Sequence, residues 1–111
     1  MNMTFEPRLK TGFLVSAEIK RCEQLFLSAV IVHKGDEDRG QILIKHYVHG
    51  EGARIFAQTR DMDDQLIWHQ PLGDDFMEEM KADEYIKRQI GFDEDLWVLE
   101  IDDPKDCYAP E

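Results

Sequence analysis

Residues Leu25 to Thr59 pack three β-like runs and two turn signals into one stretch, reading LFLSAVIVHK, GDEDRG, QILIKHYV, HGEGA and RIFAQT. Successive side chains of an extended strand point to opposite faces. Val, Ile, Phe and Tyr at alternating positions, cut by Gly and Asp, are therefore the pattern of a half-buried antiparallel meander. Whatever flanks this stretch must pack against a sheet.

Residues 1 to 8 carry Pro7 and no periodicity, which suggests an arm or a first edge. From Phe13 to Ile19, Phe13, Val15, Ala17 and Ile19 alternate with Leu14, Ser16 and Glu18, and this period of two predicts a strand. A helix stays open as the other reading. Val15, Ile19, Cys22 and Phe26 also fall at helical spacing, and Thr11 could cap such a helix. The strand is preferred because Val and Ile suit pleated surfaces and the next run begins soon after.

Phe26 to Lys34 is nearly continuous in apolar character, as in a strand covered on both faces. Gly35 and Gly40 bracket a charged hairpin turn. In the next run Ile42, Ile44, His46 and Val48 share one face, while Leu43, Lys45 and Tyr47 share the other. Arg54 to Thr59 and Leu66 to Gln70 follow, so the expectation is five consecutive antiparallel strands.

Beyond Pro71 and Gly73 the period changes. Asp75 with Glu78 resembles a capping box and Gly91 supplies a stop, predicting a helix from Asp75 to Ile90. Leu96 to Ile101 is a sixth strand with Trp97, Leu99 and Ile101 on one face, and Phe92 and Trp97 are expected to anchor the helix on the sheet. The expected fold is α+β: an antiparallel sheet of five to six strands with one main helix, about residues 75–90, on one face. One domain is expected, with loose ends at about 1–7 and 104–111.

Acidic residues outnumber basic ones 24 to 13, for a formal charge of −11, and most of them are scattered from Asp36 to Glu111. Phosphate-backbone and anionic-membrane binding both need clustered Lys and Arg, so neither a nucleic acid nor a membrane is the expected partner. The plain reading of this charge is solubility, and a basic protein partner is the functional one; a protein partner or a homodimer is the expectation. Cys22 and Cys107 fit no ligand spacing, the N-terminus lacks the apolar run of a signal peptide, and no stretch reaches the roughly 18 apolar residues of a membrane helix. Reduced thiols and a cytoplasmic location follow.

Specific chemistries fail on spacing. His46 and His49, three apart on a strand, point to opposite faces and cannot share a metal. Asp61-x-Asp63 and Asp93-x-Asp95 begin like calcium loops, but Leu66 or Val98 stands where the loop needs Gly and Leu72 or Pro104 where it needs Glu. Ser16, Ser28, Cys22 and Cys107 lie in no nucleophile signature, and Gly35 to Gly40 is not followed by the Lys and Ser or Thr of a phosphate loop. No metal, cofactor or catalytic residue is expected.

The segments RLKTGFLVSAEIKR, HKGDEDRGQILIK and FDEDLWVLEIDD together resemble an uncharacterised, mainly alphaproteobacterial family, the domain of unknown function 1491. The resemblance spans about residues 7 to 103. It rests on Arg8-Leu9, Val15-Ser16-Ala17, Gly35-Asp36, Gly40, Trp68, Tyr85-Ile86, Arg88-Gln89 and Phe92-Asp93 leading to Leu96-Trp97-Val98. Where members often carry Pro, this chain has Glu94, which leaves that turn less rigid. The resemblance implies no activity. The function expected is a small non-enzymatic binding or interaction module, with Lys34, Asp36, Arg60, Arg88, Asp93 and Asp95 as candidate binding residues. The alternative is a small hydrolase-like enzyme using carboxylates such as Asp36, Asp61, Asp93 and Asp95 with Arg60 or Arg88. An unpaired strand edge or an exposed apolar patch would favour the first, and a concave pocket gathering those groups the second.

Overall fold

In the computed structural model, which describes residues 9–111, the chain runs α1 (Thr11–Gln24), β1 (Ser28–His33), β2 (Ile42–Val48), β3 (Gly52–Arg60), β4 (Leu66–His69), α2 (Glu79–Phe92) and β5 (Trp97–Asp102). The fold is α+β, with one five-stranded sheet in the order β1-β5-β2-β3-β4. The expected arm or edge at residues 1 to 8 lies outside the described residues.

The alternation at Phe13 to Ile19 does not make a strand. These residues belong to α1, where Val15 and Cys22 are fully buried and Leu14 and Ile19 pack beside them, so the helical spacing is the one the core uses. Lys10, at the N-cap, offers no side-chain cap, and a remote loop supplies the partners. The Gly12 amide donates to the Glu37 carbonyl at 2.9 Å, Thr11 Oγ1 donates to the Gly40 carbonyl at 2.7 Å, and the Glu37 carboxylate lies against Gly12. An acidic loop thus meets the positive end of the helix dipole. At the other end Leu27 N–H reaches back to the Cys22 carbonyl at 2.9 Å, around Phe26 in the left-handed region at φ 60°.

The meander is not consecutive. β5 inserts between β1 and β2, antiparallel to β1 and parallel to β2, with Ile44 opposite Leu99 and Ile31 opposite Leu99 from the other side. The Gly35 to Gly40 segment is therefore no hairpin turn: it must step over the start of β5. A Cβ on Gly35 or Gly40 would strike the Asp95 carbonyl, and neither glycine has a positive φ. Close approach requires them. β2 and β3 do form a hairpin, with Val48 opposite Gly52, and Gly52 combines φ +116° with contact against the Met77 carbonyl. Met77 in turn exchanges two backbone hydrogen bonds with Ala53, both 2.8 Å. That bridge holds Met77 against β3, and α2 starts at Glu79 rather than Asp75.

Two helices cover opposite faces of the sheet, so the sheet carries a core on each side. Val15 and Cys22 of α1 pack on Ile42, Ile44, Leu99 and Ile101, and Ala82 and Ile86 of α2 pack on Leu43, Ile55 and Val98. The alternation read in β2 and β5 holds, with Trp97, Leu99 and Ile101 in the α1-side core. β1 departs from its expected double cover: it is an edge strand with most of its residues exposed. The segment after Asp103 is not loose either. Tyr108 is buried against the α1-side core, and Asp103 is fully buried. Among the described residues, no helix is long and apolar enough to cross a membrane.

Candidate functional site

The residues singled out from sequence are not gathered into one place. Asp36 and Asp95 meet through backbone, where Asp36 N–H donates to the Asp95 carbonyl at 2.9 Å, and Lys34 forms an exposed ion pair with Glu37 at 3.5 Å. Asp36 Oδ2 accepts the amides of Asp38 and Arg39, Asp93 Oδ1 accepts that of Asp95, and Asp61 Oδ1 accepts those of Asp63 and Gln65. These carboxylates shape their own turns. Arg60 donates to the Asp64 carbonyl at 2.7 Å beside β4, and Arg88 lies on α2 with Glu84 and Lys87 on a shallow surface. The surface at Arg88 is lined by Glu84 and Lys87 and by none of these acids.

The polar constellation that the fold does assemble was not visible from spacing. His46, fully buried on β2, faces the chain that follows β5. Its Nε2 lies 2.8 Å from Asp103 Oδ2, and its Nδ1 accepts from Arg54 Nε at 3.2 Å. A nitrogen that accepts from a guanidinium carries no proton, so the ring proton sits on Nε2 and is donated to Asp103. Arg54 also donates to Asp106 Oδ1 at 2.9 Å and stacks 4.4 Å from the Phe76 ring centre. The Tyr108 amide donates to the same Asp103 Oδ2 at 2.8 Å, and Cys107 Sγ to Oδ1 at 3.4 Å. Burial alone would raise the Asp103 pKa, but the hydrogen bonds from His46, Tyr108 and Cys107 outweigh it and hold the carboxyl below its ordinary value.

The donor atoms of His46, Asp103 and Asp106 lie within 4.8 Å of one another, close enough to share an ion. Their chemistry is spent otherwise. The Nε2 lone pair is replaced by a proton, and the Arg54 guanidinium supplies the positive charge beside Asp106. Nor is a nucleophile activated: the hydrogen bond to Asp103 pushes the Cys107 thiol pKa up, and burial pushes Cys22 up to about 11. This cluster clasps the chain after β5 onto β2 and β3.

A second buried ion, Lys45, does the equivalent on the other face. Its Nζ meets Glu79 at 2.6 Å, Asp83 at 2.8 Å and Glu100 at 3.1 Å, tying α2 to β2 and β5. Burial would lower its pKa, but the three carboxylates win and raise it, so it stays charged and is no candidate base.

One surface open to a partner is the free edge of the sheet. Among the described residues no strand pairs with the outer side of β1, and its sequence SAVIVH holds no Lys, Arg, Asp or Glu. Val30, Ile31 and Val32 are each about half exposed, and Phe26, just before the strand, is 94% exposed in its left-handed conformation. The opposite edge is shorter: β4 has four residues, and Trp68 there is tied to the Glu111 main-chain oxygen at 3.0 Å. A register shift between Ile31 and His33 leaves Ser28 to Ile31 as the regular part of β1.

Comparison with known proteins places this geometry among close structural relatives. The family model described as "Protein of unknown function (DUF1491)" matches residues 9–108. The crystal structure of a DUF1491 family protein from Caulobacter crescentus CB15 is 34% identical over 86% of this chain and 89% of that one, with a TM-score of 0.78. An NMR structure of a DUF1491 family protein from the same organism is 36% identical over 87% of each chain, with a TM-score of 0.76. The solution structure of Atu0922 from A. tumefaciens, 24% identical over 88% of each chain, shares the fold at a TM-score of 0.75. No curated protein matches the chain.

Proposed function

The chain belongs to the DUF1491 family of proteins of unknown function, and on that premise we propose that it is a small, non-enzymatic cytoplasmic module that binds a protein partner by strand addition to β1. The observation that carries this reading is the uncharged, apolar, unpaired edge of β1. Exposed edges are ordinarily blunted by charge, Pro or cover, because they template pairing with any extended chain. Among the described residues, the regular part has none of these.

Phe26 adds weight. A bulky residue at positive φ costs on the order of 1 kcal/mol or more, a position where Gly is the usual choice. Here the ring gains no burial in return, being 94% exposed. An aromatic ring held in solvent next to an open edge is suited to packing on a docked segment.

The partner we propose is an extended segment with β-branched residues flanked by Lys or Arg. Asp102 and Glu100 stand opposite Ser28 and Val30 on the neighbouring strand, and the whole chain carries −11. That charge attracts a basic partner and opposes a second copy of the same chain. The two cysteines carry no disulfide, in keeping with a reducing compartment.

The test is fluorescence anisotropy with short labelled peptides that have a Val/Ile/Thr core and either Lys or Glu flanks. Lys-flanked peptides should bind, alternate backbone N-methylation should abolish binding, and Val30→Lys should weaken it at least about tenfold. Equal binding of N-methylated peptides, or indifference to Val30→Lys, would rule out strand addition at β1. Concentration-dependent dimerisation through β1 in sedimentation would replace the partner with a second copy.

A further inference from the structure

On the α1 side of the sheet, away from β1, a cleft of about 220 Å³ lies between α1 and the β3–β4 edge. Leu14, Ala17 and Ile42 give it apolar walls, the Trp68 indole closes one side and Arg21 stands at its rim. Residues 109–111 cross its mouth. Arg21 Nη2 donates to the Ala109 carbonyl at 2.6 Å, Trp68 Nε1 donates to the Glu111 main-chain oxygen at 3.0 Å, and the Glu111 carboxylate stands 3.8 Å from Arg21 Nη1.

The three contacts differ in strength. Arg21 is oriented by Glu18, which accepts from Nε at 3.1 Å and Nη2 at 2.7 Å, so the guanidinium is fixed before anything else binds. Among the described residues, its Nη1 has only the Glu111 carboxylate, beyond hydrogen-bond range and on a side chain 78% exposed. Glu111 is therefore a weak occupant of a preformed acceptor site, and what it offers defines what the site takes. It brings an anionic oxygen to Nη1 and a second oxygen to the Trp68 N–H, above an apolar floor.

We infer that this cleft is a binding site for a small carboxylic acid with a flat apolar body, of which the Glu111 strap is the built-in competitor. The ligand's carboxylate takes Arg21 Nη1 and the Trp68 N–H, and its ring fills the space over Leu14, Ala17 and Ile42. The volume falls below the roughly 300 Å³ where drug-sized sites begin, which selects a single ring rather than a larger molecule. This site is separate from the β1 edge and does not depend on it.

The test is NMR titration of the full chain with phenylacetate, with phenylacetamide as the uncharged control. The Trp68 indole N–H should shift with phenylacetate and much less with phenylacetamide, while the Trp97 indole N–H, held by the Asp36 carbonyl at 2.7 Å, moves less. Glu111→Gln weakens the competitor and should tighten phenylacetate binding by about twofold to fivefold. Arg21→Gln should abolish it, with the thermal midpoint recorded to separate binding from folding. No Trp68 shift at millimolar phenylacetate, an equal shift with phenylacetamide, or an affinity unchanged in Glu111→Gln would each overturn the inference.

Discussion

Replacing Asp103 probes how the chain after β5 is held, and the structure sets two different outcomes for two substitutions. Oδ2 accepts both buried donors, His46 Nε2 and the Tyr108 amide, each at 2.8 Å, while Oδ1, among the described residues, meets only Cys107. Asp103→Ala leaves both donors buried without a partner, at about 1–3 kcal/mol each, so a loss of about 4 kcal/mol is expected. That is a large share of a total near 5–15 kcal/mol. In Asp103→Asn the amide oxygen can stand where Oδ2 was and keep both bonds, with the amide nitrogen turned to the Cys107 sulfur. Only the charge is lost, and about 1 kcal/mol is expected because charge-assisted bonds are roughly twice as strong as neutral ones.

Acid adds a second readout. The folded carboxyl titrates below its ordinary value of 3.8, so its contribution is present above that value and is lost as pH falls through it toward the folded pKa. The gap between wild type and Asp103→Asn should therefore close in acid. Urea unfolding followed by tryptophan fluorescence at neutral and acid pH measures all of this. A loss under 1 kcal/mol for Asp103→Ala, or equal losses for Ala and Asn, would refute the clasp.

Two further substitutions test the packing. Gly40→Ala places a methyl group against the Asp95 carbonyl and the Trp97 ring, and a loss of about 1–3 kcal/mol is expected, larger for Gly40→Val. An unchanged denaturation midpoint would mean that the segment over β5 has room to move. Trp97→Ala should cost about 3–5 kcal/mol, whereas Phe92→Ala should stay within about 0.5 kcal/mol, because Phe92 is 82% exposed and anchors nothing. Equal losses in the same unfolding assay would contradict the burial.

The elements that sequence reveals are those whose signal is local. β2, β3, β4 and β5 could be read from their own residues, because each is a run with Val, Ile, Phe, Tyr or Trp bounded by Gly, Asp or Pro. α1 was misread because both periods are present in Phe13 to Ile19, and the feature that decides between them, the loop at Gly35 to Gly40 capping the helix start, lies far along the chain. The insertion of β5 between β1 and β2 is equally non-local: nothing within either strand says which neighbour it takes. The two glycines carried the clue. They are bracketing residues that a hairpin does not need but a crossing over another backbone does.

His46 and Asp103 were overlooked for a related reason. A His on the apolar face of a central strand must find a partner, and Asp103, Asp106, Cys107 and Tyr108 crowd chemistry into a segment that two prolines made look loose. That crowding was the available signal. Phe92 failed in the opposite direction, since an aromatic residue beside a helix end reads as an anchor whether or not the helix turns it inward.

Amide hydrogen exchange on β1 tests strand addition most directly. Added to the protein, a Lys-flanked β-branched peptide should slow exchange of the amides of Ser28 to Ile31 while leaving those of the opposite edge, Leu66 to His69, unchanged. Protection at β4 instead, or none at β1 under conditions where the peptide is bound, would contradict the account.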